Sequence, residues 1–196
     1  MKNLCMVIGP IASGKSSLLD PIVEIFGLQG YELISTDVYF QERFLTDTDP
    51  IDLCYRRARA FTEYKLQKAR AAGKDILWET VVGKESKIEK LTAFKEQGYR
   101  IFVVFACVRD VELCVERAKT RGEKVGYSPA EGKVRKRYED SFAYLSKVNA
   151  LADELLIIDN SVAPKAVLWR QGNQIQVIDG KECEKVWIDK IKACIS

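Results

Sequence analysis

The stretch GPIASGKS, residues 9–16, matches the pattern GxxxxGK[ST] at every fixed position. It follows a short apolar run, residues 3–8, that predicts a buried strand, and it leads into a predicted helix over residues 15–26. Glycines let the backbone curl so that successive N–H groups point inward, and the start of the helix adds positive potential. The stretch therefore predicts a loop that binds phosphate groups.

The side chains of this loop suit the binding of ATP and Mg²⁺. Lys15 would reach the β- and γ-phosphates, the Ser16 hydroxyl would bind Mg²⁺, and Ser17 could donate to the α-phosphate. The alternative is a glycine-rich turn with an accidental lysine, which the strand and helix on either side disfavour. The predicted nucleotide-binding positions of the loop are Gly9, Ile11, Ala12, Ser13, Gly14, Lys15, Ser16 and Ser17.

Apolar runs alternate with helical patterns along most of the chain, and this order predicts an α/β fold. We expect a three-layer P-loop fold: a mainly parallel five-stranded sheet with helices on both faces, plus a C-terminal β-hairpin and helix over residues 163–196. No linker or repeat is visible, so residues 1–196 are expected to form one domain. The predicted parallel strands are residues 3–8, 31–35, 76–78, 100–108 and 154–159.

The predicted helices lie between and after these strands. In the first, over residues 15–26, Ile25 is expected on the inner side and Pro21 is expected to kink or tighten the helix. A glycine-containing loop is expected from Gly122 to Pro129, and a hairpin turn at residues 171–173. The other predicted helices are residues 52–72, 86–97, 111–120, 129–152 and, shortly after Asp179-Gly180, residues 184–194.

Composition excludes several function classes. The 31 Lys and Arg residues against 28 Asp and Glu give a net charge of +3, too small a surplus to predict binding to nucleic acid or an anionic membrane. The chain has no histidine, which excludes His triads, His metal sites and imidazole catalysis. Any proton transfer must therefore use another titratable side chain or a water.

The N-terminal sequence and the cysteines predict a location. The first residues do not read as a signal peptide, and the longest apolar run, residues 101–108, is under half the length of a membrane span. The six cysteines form no CxxC pair and no zinc spacing. We therefore expect a protein of the reducing cytoplasm without a membrane partner.

The phosphate loop alone does not choose a reaction, but missing motifs narrow the choice. The DxxG and NKxD strings of GTPases and the LSGGQ string of ABC ATPases do not occur. A small phosphoryl-transfer enzyme with a separate acceptor remains. Such an enzyme needs a base near the acceptor hydroxyl, cations over the transferring group and a lid that excludes water.

Two carboxylates follow predicted strands, where the strand ends of an open parallel sheet point at the site. Asp37 follows the second strand and Glu79 the third. Either could orient the acceptor hydroxyl, accept its proton, or hold a water of Mg²⁺. Asp37 could instead only cap the turn into residues 38–40.

Arginines supply the cations. Arg117 and Arg121 are four residues apart and so share a helix face, and Arg137 begins the next helical pattern. We predict a lid over about residues 117–137. A solvated basic surface and a nucleic-acid patch are the alternatives, although Glu139 and Asp140 dilute the charge.

The ordered motifs resemble those of the zeta-toxin-like P-loop kinases, a group that includes UDP-N-acetylglucosamine kinases. The resemblance covers roughly four-fifths of the chain. It is carried by GPIASGKSSL, STD at residues 35–37, ET at 79–80, KEQGYRIFVVF, ERAKTR, VRKRYEDS and DNS at 159–161.

The resemblance implies Mg·ATP-dependent transfer of the γ-phosphoryl group to a hydroxyl, with Asp37 as general base. Arg117, Arg121 and Arg137 match its cationic positions around the phosphates, so Arg117 and Arg121 join Lys15 of the loop and Asp37 as the predicted catalytic residues. Asn160 lies where the chain passes the nucleotide base. In the toxins proper the acceptor is UDP-N-acetylglucosamine, and an antitoxin-like protein is the implied partner. The substrate-binding positions that it implies are Thr36, Asp37, Glu79, Thr80 and Arg137.

The sequence thus predicts a P-loop kinase that acts on a small molecule. Three alternatives stay open: a toxin or regulator whose function is to bind a protein partner, a bare NTPase in which water replaces the acceptor, and a nucleic-acid kinase.

Overall fold

The computed structural model describes residues 1–46, 48–178 and 182–195. These residues form a seven-stranded sheet in the order β2-β3-β1-β4-β5-β6-β7. The strands are β1 Lys2–Ile8, β2 Glu32–Ser35, β3 Ile76–Thr80, β4 Tyr99–Cys107, β5 Glu154–Asp159, β6 Lys165–Gln171 and β7 Gln174–Val177.

The first five strands are parallel, as predicted, and β1 lies at their centre. Ile8 at the end of β1 pairs with Thr80 of β3 on one side and with Phe105 of β4 on the other. All five residues from Leu4 to Ile8 are buried, which explains why this strand is apolar at every position instead of alternating. The carboxyl ends of these strands therefore meet at one edge of the sheet.

The C-terminal hairpin extends this sheet. β6 pairs antiparallel with β5, and β7 pairs antiparallel with β6. The antiparallel direction follows from length, because only residues 160–164 separate β5 from β6 and a parallel crossover needs a dozen or more. Val167 and Leu168 of β6 are fully buried, whereas β7 is exposed along its length.

Helices cover both faces of the sheet unequally. On one face α1 packs on Cys5 and Val7, and on the other the larger helices pack on Leu4, Met6 and Ile8. The helices are α1 Leu19–Phe26, α2 Thr36–Tyr39, α3 Ile51–Ala71, α4 Glu85–Glu96, α5 Val111–Val125, α6 Glu131–Ala143, α7 Leu145–Leu151 and α8 Glu182–Ile195, with a 3₁₀ turn at Ser16–Leu18 and a π-helical segment at Phe40–Phe44.

The start of the first predicted helix is irregular. Ser16–Leu18 forms the 3₁₀ turn, and α1 begins only at Leu19, so Pro21 falls in the first turn, where a missing N–H breaks no helical hydrogen bond. The predicted kink is therefore unnecessary. The prediction for Ile25 was wrong, because its side chain is 74% exposed while Ile22 fills the inner face.

Two boundaries around the predicted lid also differ from expectation. Gly122 does not open a loop, because α5 continues through it to Val125. A Cβ at Gly122 would lie 2.4 Å from Cβ of Ser128, so this glycine admits the returning chain rather than ending the helix. The predicted helix over residues 129–152 is divided at Tyr144 into α6 and α7.

Two further sequence predictions concern the end of the chain and the membrane. The predicted turn at Asp179-Gly180 lies outside the described residues, and α8 begins at Glu182. Within the described ranges, every helix is too short or too polar to cross a bilayer.

Replacing Phe105 tests the central core. Its side chain is fully buried on β4 and lies edge-on to the ring of Phe142 at 5.3 Å. We expect Phe105→Ala to lower the free energy of unfolding by about 3–5 kcal/mol, because it leaves a cavity between sheet and helix. Ile25→Ala should change it by less than about 0.5 kcal/mol in the same urea titration. Equal effects of the two substitutions would contradict this packing.

Candidate active site

A cleft of about 630 Å³ opens at the carboxyl ends of the parallel strands. It is lined by the phosphate loop, by α2 and α3, by the segment between β3 and α4, and by α5 and α6. The predicted site residues that line it are Ile11, Ala12, Gly14, Lys15, Ser16, Ser17, Thr36, Asp37, Glu79, Thr80, Arg117, Arg121 and Arg137. Gly9, Ser13 and Asn160 lie behind this surface and support the loop.

Two glycines give the loop its shape. Gly9 and Gly14 have φ angles of 147° and 88°, values that favour glycine. A Cβ at Gly9 would lie 2.0 Å from the Ala106 carbonyl oxygen, and one at Gly14 would lie 2.0 Å from Asn160 Nδ2. The φ angles and the lack of room for a Cβ atom therefore both exclude residues other than glycine at these two positions.

Asn160 holds the loop from behind. Its Nδ2 donates to the Ser13 carbonyl oxygen at 2.9 Å, which joins the residue after β5 to the loop after β1. Arg117 donates in turn to the Asn160 and Ser161 carbonyl oxygens, at 2.9 and 3.1 Å. Sequence reasoning expected Asn160 beside a nucleotide base, whereas its side chain supports the backbone that would hold the phosphates.

The Lys15 ammonium lies at the rim of the loop. Its Nζ donates to the Pro10 carbonyl oxygen at 2.6 Å, and the residue is buried. Burial lowers the pKa of Lys15, while the negative charges of Glu79 and Asp37 oppose that shift. The loop therefore presents one buried cation between two carboxylates.

Glu79 joins three strand ends. One of its carboxylate oxygens accepts from Ser16 Oγ and the other from Ser35 Oγ, both at 2.6 Å. Glu79 is 5% exposed and forms part of β3, so the predicted strand, which ended at Trp78, was too short. The carboxylate fixes the rotamer of the Ser16 hydroxyl.

Ser16 and Glu79 together fit a Mg²⁺ ion. Mg²⁺ takes oxygen ligands, and in phosphoryl-transfer sites one or two protein oxygens serve while substrate phosphates and waters complete the octahedron. Within the described residues no group of three or more acidic or thiol side chains could hold a metal by itself. The donor set suits an ion that arrives with a nucleotide.

Asp37 lies across the cleft from this pair. It belongs to α2, whose first turn is capped by the Ser35 side chain, which accepts from Val38 N. Its two carboxylate oxygens contact Arg121 Nη1 at 3.1 Å and the Tyr55 hydroxyl at 3.3 Å. Burial and the charge of Asp37 raise the pKa of Tyr55, so the phenol stays a donor.

Arg137 and Thr36, two other predicted site residues, line the same cleft as Lys15, Glu79 and Asp37. Arg137 donates to the Gly83 carbonyl oxygen at 2.8 Å and to Asp140 at 3.1 Å, so it ties α6 to the segment after β3. Thr36 Oγ1 lies 3.0 Å from Thr62 Oγ1 of α3. These contacts fix the walls of the cleft.

Sequence reasoning missed several lining residues. Tyr55 of α3 stacks on Tyr127 after α5, with ring centroids 5.2 Å apart. Lys84 directly precedes α4, and Lys87 and Lys90 follow at intervals of three, a spacing that could have been noticed. Arg59 is a further missed cation of the cleft wall, whereas Lys133, which also lines it, belongs to the basic run noted at the start of the next helical pattern.

Comparison with known families agrees with this geometry. A family model described as an AAA domain matches residues 4–145. The chain belongs to this AAA domain family. No curated protein matches the sequence closely enough to show a relationship.

Solved structures show the same fold at low identity. The AvrRxo1-ORF1:AvrRxo1-ORF2 complex with sulphate ions gives a TM-score of 0.71 at 13% identity, over 97% of this chain and 63% of that one. The complex with ATP gives 0.69 at 13%, over 100% and 72%. The PezAT toxin–antitoxin system of Streptococcus pneumoniae gives 0.63 at 13%, over 99% and 86%.

These likenesses establish the fold class. The chain has a P-loop kinase-like α/β fold, and the predicted resemblance to zeta-toxin-like P-loop kinases is confirmed at that level. This chain spans less than two thirds of the first of these relatives.

Gly14→Ala tests the shape of the loop. A methyl group there meets Asn160 Nδ2 at 2.0 Å, and the φ of 88° is strained for alanine. We expect Mg·ATP binding, measured by calorimetry, to weaken at least about tenfold, which is about 1.4 kcal/mol.

Gly132→Ala is the matched control, because Gly132 lies in α6 and a Cβ there meets nothing within 4 Å. It should leave Mg·ATP binding unchanged. If Gly14→Ala bound Mg·ATP as tightly as this control, the loop would not be a phosphate cradle.

Proposed function

We propose that this chain is a kinase that transfers the γ-phosphoryl group of ATP to a hydroxyl of a small molecule. The observation that carries the proposal is a carboxylate, Asp37, that shares a cleft with a glycine-shaped anion cradle and with Lys15 and Arg121. Positioning and electrostatics supply most of the acceleration in such sites.

The phosphate loop would hold the triphosphate. Its amides, set by Gly9 and Gly14, would contact phosphate oxygens, and Lys15 would leave the Pro10 carbonyl to reach the β- and γ-phosphates. Ser16 would bind Mg²⁺, and Glu79 would hold Ser16 and a water of the ion. When bound, Mg²⁺ supplies charge neutralisation at the β- and γ-phosphoryl oxygens.

Asp37 would act as general base. The acceptor oxygen bonds to the γ-phosphorus, the bond from that phosphorus to the β-bridging oxygen breaks, and the hydroxyl proton passes to Asp37, leaving ADP. Arg121 contacts Asp37 and lies close enough to Lys15 to lower its pKa, so a small movement would bring it over the transferring group. Residues 117–137 would then act as the lid over the reaction.

The resemblance also suggests an acceptor and a protein partner. The zeta-toxin resemblance makes nucleotide-sugars, with UDP-N-acetylglucosamine first, the leading candidates. We infer a cytoplasmic reaction, because the cytoplasm supplies both ATP and Mg²⁺. AvrRxo1-ORF1 was solved in complex with AvrRxo1-ORF2, and PezAT is a toxin–antitoxin system. An antitoxin-like partner of this chain would bind over the same cleft.

Asp37→Asn tests the base assignment. Asparagine keeps the shape but cannot accept the proton, so transfer from γ-labelled ATP should fall about 10²–10⁴-fold while Mg·ATP binding is retained. Candidate acceptors are assayed as a panel, nucleotide-sugars first. Asp189→Asn, on the exposed side of α8, should transfer at the wild-type rate.

Three results would contradict all or part of the proposal. Transfer by Asp37→Asn near the wild-type rate would remove its role as base. Steady ATP hydrolysis that no acceptor alters would instead favour a bare NTPase. ATP turnover that appears only with a protein co-purified from the source cell would favour the alternative in which this chain is a regulator that acts through a protein partner.

A further inference from the structure

A hydroxyl of the chain itself already contacts the proposed base. The Tyr55 hydroxyl donates to a carboxylate oxygen of Asp37 over a distance of 3.3 Å. A general base meets the hydroxyl that it deprotonates through such a hydrogen bond, which is often long before substrate binds. The Tyr55 hydroxyl therefore stands toward Asp37 as an acceptor hydroxyl would.

Three other hydroxyls that line the cleft are held by different partners. Ser16 and Ser35 both donate to the carboxylate of Glu79. Thr36 pairs with a threonine of α3. Among the described residues, Tyr55 alone hydrogen-bonds to the proposed base through a hydroxyl.

Packing against two rings holds the Tyr55 side chain in the cleft. Tyr127, which follows α5, stacks on the Tyr55 ring with centroids 5.2 Å apart and an interplanar angle of 24°. Phe40 meets the same ring edge-on at 5.4 Å. The neighbours of Tyr55 on α3, Cys54 and Ala58, are fully buried beside Phe40. The phenol is therefore kept against the base instead of turning to solvent.

The nucleotide end of the cleft is close to this base. Tyr55 and Lys15 line the same cleft, and the charges of Asp37 and Arg121 both act on the pKa of Lys15. Lys15 would bind the β- and γ-phosphates. Asp37 therefore adjoins both the Tyr55 hydroxyl and the place of the γ-phosphoryl group.

We propose that this chain phosphorylates itself at Tyr55 when no small-molecule acceptor fills the cleft. The Tyr55 oxygen bonds to the γ-phosphorus of ATP, the bond from that phosphorus to the β-bridging oxygen breaks, and the phenolic proton passes to Asp37, leaving ADP. This inference rests on the proposed function, because it uses the same base. A bound acceptor would take the Asp37 oxygen that Arg121 vacates, and Tyr55 would then stay a donor.

Positive charge is available to the product. Arg59 follows Tyr55 by one helical turn on α3 and also lines the cleft, and its charge acts on the phenol. A phosphotyrosine carries about −1.5 to −2 charges at neutral pH, so Arg59 and Arg121 could both bind it. The added group would occupy the approach to Asp37 and so slow transfer to any other acceptor.

The direct test omits every acceptor. Purified protein is incubated with Mg²⁺ and γ-labelled ATP, and incorporation is followed by intact mass and by tandem mass spectrometry of tryptic peptides. We expect at most one phosphate per chain, on Tyr55 in the peptide of residues 44–56. The rate should not depend on protein concentration, because the hydroxyl and the base belong to one molecule. A phosphate found on Tyr55 before incubation in the wild type, but not in Asp37→Asn, would equally support the inference.

Three variants assign the site. Tyr55→Phe should lower incorporation at least tenfold while Mg·ATP binding, measured by calorimetry, is retained. Asp37→Asn should lower it about 10²–10⁴-fold. Tyr64→Phe is the matched control, because Tyr64 lies on the same helix, is 55% exposed and does not line the cleft, so this variant should incorporate phosphate as the wild type does.

A second arm measures the consequence of the modification. Protein that carries the phosphate and protein that lacks it are assayed with the same small-molecule acceptor, and the modified form should transfer at least tenfold more slowly. Equal transfer by the two forms would overturn the inhibitory effect and leave the modification site standing.

Several outcomes would overturn the inference. Incorporation that is unchanged in Tyr55→Phe, that maps to another residue, or that rises in rate with protein concentration would do so, as would phosphate on Tyr55 that persists in Asp37→Asn. Transfer to a small-molecule acceptor with Tyr55 never labelled would overturn self-phosphorylation alone and leave the kinase standing. If protein that binds Mg·ATP shows neither transfer nor incorporation, the result counts against the proposed function itself.

Discussion

The close approach of three strand ends determines the rest of this site. β1, β4 and β5 are neighbours in a parallel sheet, and their carboxyl ends bring the Ala106 carbonyl and the Asn160 amide against the loop at Gly9 and Gly14. The loop has no room for Cβ atoms at these positions, so its amides are held in one arrangement before any ligand arrives. Preorganisation of this kind removes an ordering cost from anion binding.

Buried positive charge is the second constraint, and burying it opposes folding. Lys15 and Lys87 are both buried enough for their pKa values to fall, and carboxylates offset the cost only in part. A fold selected for stability alone would bury apolar groups at these places.

The sequence predicted the parts of the structure that depend on local pattern. The GPIASGKS stretch, the five parallel strands and the carboxylate after β2 are readable because strand ends of a parallel sheet must converge. The continuation of α5 through Gly122 was not readable, because its cause is contact with Ser128 in the returning chain. Arg59 was missed for a similar reason: it lies far in sequence from Lys84 and Lys87, and only the folded chain brings these residues of α3 and the α4 region to one cleft.

In the proposed reaction, the ion pair between Arg121 and Asp37 makes the availability of the base depend on nucleotide binding. One guanidinium cannot neutralise both the base and the transferring phosphoryl group. A triphosphate carries more charge than a carboxylate, so its arrival would draw Arg121 from Asp37 and leave that carboxylate free to accept a proton. Tyr55 would still donate to Asp37 and keep it oriented. The base would therefore become available only after the nucleotide has bound.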